Sequence, residues 1–333
     1  MRAALVPAYG GPEVVELAEV PSPPIEPGKV RVRINVGAVN FPDVLVVADT
    51  YQVSVPTPFI LGSEYAGTVV ELGDGAEGVA LGDRVFGSTI VGAFAEEFVV
   101  APGSLMRIPD GVDDRTAAAF GVAYRTAYHV LRSVAELREG EELIVLGAGG
   151  GVGSAAVQLG VLAGATVTAV ASSPEKLEAA RALGAARLID HRAGDLRQAL
   201  REALPGGADV VVDPVGGDLA EPALRALHFG GRFVTVGYAA GSIPRVPLNL
   251  VLLKGSQILG FQFGSWAQHR PEELARNDRE LLDLLVSGRA APLIGATFPL
   301  AEAGEALRWV ADGKAVGKVV VEVGPGQGAQ AAD

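Results

Sequence analysis

The pattern of hydrophobic and polar positions changes character near residue 141 of the chain. Before that point, short apolar runs alternate with polar residues at a period of two, as half-buried β-strands do. Residues 30–36 show this alternation, and the turn at residues 21–24 is rich in proline. Further strand-like runs cover residues 66–70, 83–86 and 95–100. The first part of the chain is therefore predicted to form a compact, mostly β domain.

From residue 141 onward, strand-like runs alternate with helical ones. This alternation predicts a parallel sheet with crossover helices. The helix that follows Ser173 has a clear start, with serine as N-cap and Pro174 at the first helical position. The predicted strands are residues 143–146, 166–170, 187–189, 209–212, 232–236 and 257–261, and the predicted helices are residues 154–163, 174–183, 195–203 and 219–227.

After residue 263 the alternation stops. An amphipathic helix is predicted for residues 272–287, a strand for residues 318–323 and a frayed tail for residues 324–333. We expect the chain to return here to its first domain. The predicted fold class is α/β, with a doubly wound parallel Rossmann sheet at residues 123–263 and a discontinuous, mostly β domain at residues 1–122 and 264–333. An active site is expected in the cleft between the domains.

Composition narrows the functional classes. The 333 residues include no cysteine, so disulfides, thiolate zinc sites and cysteine nucleophiles are excluded. The formal net charge of −12 argues against nonspecific nucleic-acid binding. No signal peptide and no apolar stretch of about 20 residues is recognised, so we expect a soluble cytoplasmic protein without membrane partners.

A glycine-rich segment follows the first strand of the predicted parallel sheet and leads into a helix. Within it, Ala148-x-Gly150-x-x-Gly153 matches the dinucleotide fingerprint, with alanine at its first place. An ordinary strand-to-helix turn can also be rich in glycine, but the flanking strand and helix supply the context that the fingerprint requires. Predicted cofactor contacts here are Ala148, Gly150, Gly151, Val152 and Gly153.

The second strand of this sheet ends without the acidic residue that holds the ribose 2′-hydroxyl in NAD-specific sites. Residues 154–174 carry no charge at all. Ser172 can donate to a 2′-phosphate, Lys176 adds positive charge within one helical turn, and His191 ends the third strand. We therefore expect NADPH in preference to NADH, although Glu175 argues mildly against this and Lys176 could be an ordinary solvated lysine.

Six segments, in their order and spacing, resemble the zinc-independent quinone oxidoreductases (the ζ-crystallin-like group) of the medium-chain dehydrogenase/reductase superfamily. Each segment is weak evidence alone, but the series runs nearly end to end. The segments are residues 9–14 (YGGPEV), 37–43 (GAVNFPD), 61–67 (LGSEYAG), 82–85 (GDRV), 126–128 (TAY) and 211–217 (VVDPVGG).

The resemblance implies a GroES-like catalytic domain beside the Rossmann domain, a homodimer, and NADPH-dependent reduction of quinones or electron-poor alkenes. It implies that Asn40 and Thr126 lie near the nicotinamide, and that Lys176 and His191 lie near the 2′-phosphate. The family often has tyrosine at the place of His191. The residues implied to line the nicotinamide end are Gly237, Tyr238, Phe261 and Phe263.

Zinc is not expected in this protein. Zinc-dependent relatives carry cysteine where Asn40 stands and histidine where Ser63 stands, and a zinc site needs three or four converging ligands. The chain has only four histidines, at positions 129, 191, 228 and 269. No metal-binding residue is therefore predicted.

Hydride transfer to a quinone needs mainly orientation and a dry site, because the cofactor carries out the difficult step. Tyr51 is the candidate proton donor or gate; equally, it could be a loop aromatic that packs over the site. Some relatives carry a further tyrosine where this chain has Leu45. Besides quinone reduction, two functions stay open: NADPH-dependent reduction of an enone or 2-enoyl thioester, and NADPH binding by a regulatory or structural protein with weak turnover.

Overall fold

The computed structural model describes residues 1–324, and the end of the predicted tail, residues 325–333, lies outside them. Over the described residues the chain forms sixteen strands and ten α-helices. The strands are β1 (Arg2–Val6), β2 (Glu16–Glu19), β3 (Val30–Val39), β4 (Phe59–Ile60), β5 (Glu64–Leu72), β6 (Arg84–Ser88), β7 (Glu97–Val100), β8 (Leu105–Arg107), β9 (Glu142–Leu146), β10 (Thr166–Ala171), β11 (Arg187–Asp190), β12 (Ala208–Asp213), β13 (Leu227–Thr235), β14 (Gln257–Gly260), β15 (Ile294–Pro299) and β16 (Lys318–Glu322). The helices are α1 (Phe41–Val47), α2 (Asp114–His129), α3 (Gly151–Leu162), α4 (Pro174–Ala182), α5 (Leu196–Ala203), α6 (Ala220–Ala226), α7 (Asn249–Lys254), α8 (Phe263–His269), α9 (Pro271–Val286) and α10 (Ala303–Ala311).

The chain divides into two compact units. Unit 1 comprises Met1–Val122 and the described chain from Ile294 onward, and unit 2 comprises Ala123–Leu293. This division differs from the expected boundary at residue 263, because it places α8 and α9 in unit 2.

The physical reason for this difference is a set of contacts inside unit 2. Arg125 on α2 forms a salt bridge with Asp278 on α9 at 2.8 Å, and Asn277 Nδ2 lies 2.8 Å from His129 Nδ1. An amphipathic pattern shows that α9 has an apolar face, but it does not show which unit covers that face.

Unit 2 contains a six-stranded parallel sheet in the order β11-β10-β9-β12-β13-β14. This is the strand order of the doubly wound Rossmann fold, so the predicted fold class is confirmed for this unit. Its central strands read as unbroken apolar runs, because both faces of the sheet are covered. Leu143, Ile144, Val145 and Leu146 of β9 are all fully buried. The carboxyl ends of these strands lie at one edge, where a doubly wound sheet holds its ligands.

Unit 1 is mostly β, as expected. Its larger sheet runs β15-β16-β3-β5-β6-β8, with β7 also paired to β3, and its smaller sheet runs β2-β1-β4. Long β3 organises the larger sheet by pairing antiparallel with β5, β7 and β16. Its alternate residues Val30, Val32 and Ile34 are fully buried in the core beside Phe94 and Tyr65. The C-terminal strand β16 therefore completes a sheet that begins near the N-terminus.

Several short elements were absent from the sequence prediction, including α1, α7, α8, α10 and β15. Their patterns are too short for a clear period, and α8 contains Gly264 in its first turn. A side chain fixes the start of α8: Gln262 Oε1 accepts a hydrogen bond from Ser265 N at 2.6 Å. Within residues 1–324, none of the helices has the length and apolar content needed to cross a bilayer.

Candidate functional site

The glycine loop joins β9 to α3 in unit 2 and has the geometry that the fingerprint requires. A Cβ on Gly153 would lie 2.0 Å from the carbonyl oxygen of Gly147, so only glycine lets the helix approach the loop this closely. Gly147 has φ of +62°, a conformation that favours glycine. Gly150 is the N-cap of α3, and the first N–H groups of this helix are placed to bind an anion. Ala148, Gly151 and Val152 complete the loop and the first turn of α3.

A second turn, at the end of β12, packs beside the glycine loop. The buried Asp213 carboxylate accepts hydrogen bonds from Val215 N at 2.9 Å and from Gly216 N at 2.8 Å. Burial raises the pKa of Asp213, and these two backbone donors oppose that rise. A Cβ on Gly147 would lie 2.6 Å from Val215 Cγ2, so the two turns fit closely together. Asp213 thus holds the turn that packs against the glycine loop, where the pyrophosphate is predicted to bind.

The ends of β10 and β11 carry a group of basic and hydroxyl side chains. Lys176 Nζ donates to Ser172 Oγ at 3.3 Å, and Ser173 caps α4 as predicted. Burial, then the charge of Arg192, lower the pKa of Lys176. The pKa of His191 is also lowered, by burial and then by Arg192. The charge of Arg192 thus acts on both Lys176 and His191, which brings these basic side chains together at the ends of β10 and β11.

The residues predicted at the nicotinamide end all belong to unit 2 except Asn40. Thr126 is buried on α2, and Gly237 N donates to Asp213 O at 3.3 Å. Tyr238 is partly exposed, and its ring limits the space at Gly216.

Phe261 and Phe263 belong to an aromatic cluster in unit 2. The fully buried ring of His129 lies 4.5 Å from the ring of Trp266 and 5.6 Å from that of Phe263. The guanidinium of Arg125 lies over the Phe263 ring, 4.8 Å from its centre. Trp266 and Phe263 both pack around His129 in the structure.

In unit 1, a buried polar cluster surrounds Asn40. Lys318 Nζ donates to Asn40 Oδ1 at 2.6 Å, to Glu64 Oε2 at 2.9 Å and to the carbonyl oxygen of Val39 at 3.1 Å. Asn40 Nδ2 in turn donates to Glu64 Oε2 at 3.0 Å and to Ser63 Oγ at 3.3 Å. Lys318 is 3% exposed, and Glu64 is fully buried.

Asp43 connects this cluster to the start of α1. Its carboxylate accepts a hydrogen bond from the backbone N–H of Asn40 at 2.7 Å, which is half of a capping box. Burial raises the pKa of Asp43 to about 6, although the Asn40 N–H, Ser63 and Lys318 all act to lower it. The site therefore holds a buried carboxyl group whose pKa is raised well above its usual value.

Tyr51 lies in the loop after α1 and packs partly buried against the core of unit 1. Burial, and then the charge of Asp43, raise the pKa of the Tyr51 phenol. A phenol in this environment stays protonated at neutral pH and can donate a proton. This property fits both roles that the sequence left open, a donor and a packed aromatic.

Sequence reasoning missed three residues of these sites. Lys318 follows Asn40 by 278 positions, and only the pairing of β16 with β3 brings the two together. Arg192 directly follows His191, so a basic residue at the end of the third strand was a usable signal. Glu64 lies in the LGSEYAG segment that carried the family resemblance, and it is the acceptor shared by Lys318 and Asn40. Within residues 1–324, no group of three His, Cys, Asp or Glu side chains could hold a metal ion.

Comparison with known proteins identifies the class that this fold and these sites define. The alcohol dehydrogenase GroES-like domain family matches residues 26–110, and the zinc-binding dehydrogenase family matches residues 151–278. The two matches fall on unit 1 and unit 2 respectively. Together with the Rossmann sheet, they define an oxidoreductase of the medium-chain dehydrogenase/reductase superfamily.

Relatives narrow this class further. Quinone oxidoreductase-like protein 2 of Bos taurus is 36% identical over 324 residues, which is 97% of this chain and 92% of that protein. Polyketide synthase GfsB of Streptomyces halstedii is 37% identical over 303 residues, which is 91% of this chain but only 5% of that protein. The crystal structure of Escherichia coli quinone oxidoreductase complexed with NADPH has a TM-score of 0.90 at 26% identity and covers 97% of this chain and 100% of its own. The chain belongs to the quinone oxidoreductase family of the superfamily, as its motifs predicted, and it is an oxidoreductase.

Proposed function

We propose that the protein is an NADPH-dependent quinone oxidoreductase in which hydride passes directly from NADPH to a quinone without a metal. The observation that carries the cofactor assignment is the basic group formed by Lys176, His191 and Arg192 with Ser172. The acceptor class is supported by the relatives named quinone oxidoreductase. NADPH, when bound, supplies the hydride, and the protein supplies binding and orientation.

The cofactor fits the residues of unit 2. The N-terminus of α3 offers free N–H groups to the pyrophosphate, and Gly153 permits the close packing that this requires. A 2′-phosphate adds negative charge that NADH lacks, and Lys176 and Arg192 attract it. No carboxylate at the end of β10 repels it. This arrangement supports selection of NADPH over NADH.

At the reacting end, we propose that Asn40 and Thr126 contact the nicotinamide and that Tyr51 faces the acceptor. A quinone that receives hydride develops negative charge on an oxygen, and a protonated phenol stabilises that charge. Leu45 leaves the neighbouring surface apolar, which suits a flat, weakly polar acceptor. Phe261, Phe263, Gly237 and Tyr238 are proposed to bound the nicotinamide pocket.

The direct test is steady-state oxidation of NADPH by a simple benzoquinone, with NADH and an enone as parallel reactions. Quinone turnover that is fast with NADPH and slow with NADH supports the proposal. Turnover of the enone alone would instead assign alkene reduction. Tight NADPH binding with no turnover of either acceptor would assign a cofactor-binding regulatory protein.

Reduction of an enone or 2-enoyl thioester is the second candidate, and the similarity to polyketide synthase GfsB favours it. This reaction adds hydride to one carbon and a proton to its neighbour, so it needs a positioned proton donor. Tyr51 is the candidate donor among the described residues of unit 1. The effect of removing the Tyr51 hydroxyl on enone and on quinone turnover therefore distinguishes the two reactions.

We also propose a homodimer formed through unit 2. Strand β14 is at the edge of the six-stranded sheet, and its Ile258 is exposed. Phe229, Leu248, Leu252 and Leu253 of the neighbouring segments are each more than 70% exposed. An unpaired edge with apolar neighbours is suited to pairing with a second copy. Sedimentation should show a dimer that Ile258→Lys weakens, and a monomeric wild type would contradict this proposal.

A further inference from the structure

The cluster of Lys318, Glu64 and Asn40 places an unusual group in the core of unit 1, because a lysine is almost never fully buried unless it is paired. Lys318 opens β16, where Val319 pairs with Val39 of β3. This register sets the ammonium beside the end of β3, where Asn40 begins α1. We propose that Lys318 is a positioning residue of the reaction and acts by holding the Asn40 carboxamide in one orientation.

The ammonium group has no hydrogen-bonding capacity to spare. A lysine ammonium has three N–H donors, and Lys318 uses three acceptors: Asn40 Oδ1, Glu64 Oε2 and the Val39 carbonyl oxygen. All four residues lie within unit 1. Lys318 therefore uses all three of its donors: two hold the segment that leads into α1, at Val39 and Asn40, and the third holds Glu64 at the start of β5.

These bonds determine which way the Asn40 amide faces. Its Oδ1 accepts from the ammonium, and its Nδ2 donates to Glu64 and Ser63. If the amide were turned over, its NH2 group would face the ammonium and its oxygen would face the Glu64 carboxylate. Both contacts would be repulsive, so the cation and the carboxylate together enforce a single orientation.

The inference rests on the proposed function, because the place of Asn40 beside the nicotinamide is itself a proposal. If Asn40 contacts the nicotinamide, its orientation affects the geometry of hydride transfer more than the affinity for NADPH. The binding groups for the phosphates belong to unit 2. Loss of Lys318 should therefore lower the rate of hydride transfer and leave the NADPH dissociation constant nearly unchanged.

Removing Lys318 alone would leave the Glu64 carboxylate buried without its cation, and such a variant can fail to fold. The informative variant therefore combines Lys318→Met with Glu64→Gln, so that both the buried cation and the buried carboxylate are replaced by neutral side chains. In wild type, Glu64 Oε1 accepts a hydrogen bond from Val122 N at 2.5 Å. The amide oxygen introduced by Glu64→Gln keeps this bond, so the new NH2 group faces Asn40. The Asn40 amide then turns over to accept from it. The double variant thus carries no uncompensated buried charge, and its Asn40 amide is expected to be inverted.

The experiment measures the single-turnover rate of NADPH oxidation by a benzoquinone, the NADPH dissociation constant and the melting temperature. The double variant should fold, bind NADPH within about twofold of wild type, and transfer hydride about 10- to 100-fold more slowly. In Glu64→Gln alone, the ammonium still donates to Asn40 Oδ1, and the glutamine oxygen must turn toward Lys318 and Asn40 and give up the Val122 N–H. This variant should therefore melt at a lower temperature than wild type but lose less rate than the double variant. The matched control is Lys314→Met, which removes an exposed lysine of the same region and should match wild type.

A double variant that transfers hydride at the wild-type rate would overturn the proposal. Lys318 would then serve only to neutralise the buried Glu64 carboxylate. Wild-type protein that fails to oxidise NADPH with any quinone would overturn the proposed function instead. In that case, NMR of the Asn40 side-chain amide still tests whether Lys318 holds the carboxamide in one orientation. Slow exchange of its two protons in wild type and altered chemical shifts in the double variant support a held carboxamide, whereas rapid exchange in wild type contradicts it.

Discussion

The Lys176 side chain lies directly over Gly149 of the glycine loop: a Cβ on Gly149 would be 2.5 Å from Lys176 Cβ. The loop that follows β9 is thus in contact with the helix that follows β10. Lys176 therefore contacts the glycine loop through its aliphatic side chain. Its Nζ also lies 3.3 Å from Ser172 Oγ at the end of β10. This contact ties the shape of the loop to the charge that is proposed to select the cofactor.

Gly153→Ala should disrupt cofactor binding. Its Cβ would lie 2.0 Å from the Gly147 carbonyl oxygen, a backbone atom that can move only with the loop. The expected result is a loss of NADPH affinity of about tenfold or more, because the loop must shift away from the phosphates. A fluorescence titration of NADPH measures this.

The matched control is Gly206→Ala, because nothing lies within 4 Å of a Cβ at that position in the same unit. It should bind NADPH as wild type does. Equal affinities of Gly153→Ala and wild type would show that the loop is not the cofactor site.

Asp43 predicts a pH dependence of stability. Its pKa in the folded protein, about 6, lies above the value of about 3.9 expected in the unfolded chain. A raised pKa means that the contribution of this group to stability is fully present below pH 4 and is lost as the pH rises through 6. The predicted loss is up to about 3 kcal/mol, at about 1.4 kcal/mol per pKa unit.

Urea unfolding at several pH values measures this effect, and Asp43→Asn is the comparison. The asparagine cannot ionise and can still accept a bond from the Asn40 N–H. The difference in unfolding free energy between Asp43→Asn and wild type should therefore shift in favour of the variant between pH 4 and 7. A difference that stays constant over this range would exclude a raised pKa.

Tyr51→Phe separates the two candidate reactions. The phenol is protonated at neutral pH, and burial raises its pKa further above the usual value. If it protonates a carbon, enone turnover should fall by about 10²-fold or more in the variant. Quinone turnover should fall less: it loses one hydrogen bond to the developing oxyanion, but the oxygens of the reduced quinone can take their protons from water.

The control for this experiment is Tyr9→Phe. Tyr9 is an exposed tyrosine of the same unit whose hydroxyl donates to the carbonyl oxygen of Val55 at 2.8 Å. Its rates should match wild type. Equal small losses for both acceptors in Tyr51→Phe would assign Tyr51 to packing.

Features of the structure were predictable from the sequence when the residues that form them are close together along the chain. The Rossmann sheet was predictable because its strands alternate with helices along the chain, and its central strands β9 and β12 are largely apolar. Gly153 was predictable because its role is local to one turn. The role of Lys318 was not predictable, because its partners Asn40 and Glu64 lie more than 250 positions away along the chain. Only the pairing of β16 with β3 brings Lys318 close to these partners. The packing of α9 against α2 was likewise invisible, because the Arg125–Asp278 pair carries no sequence signal.

Arg192 lies between these cases. It directly follows His191, and its charge lowers the pKa of both His191 and Lys176. The sequence prediction assigned the positive charge to Lys176 alone. The structure distributes that charge over two residues, which makes a double variant the appropriate probe.

The most direct test compares kcat/KM for NADPH and for NADH, with a benzoquinone as acceptor, in wild type and in Lys176→Met combined with Arg192→Ala. Each charged contact to a phosphate contributes about 1.5–3 kcal/mol, so the preference for NADPH should fall by about 10²-fold or more, with little change for NADH. Arg181→Ala, an exposed arginine of α4, is the control and should keep the preference. Wild type with equal efficiency for both cofactors, or a double variant that keeps the full preference, would contradict the assignment of this basic group to the 2′-phosphate of NADPH.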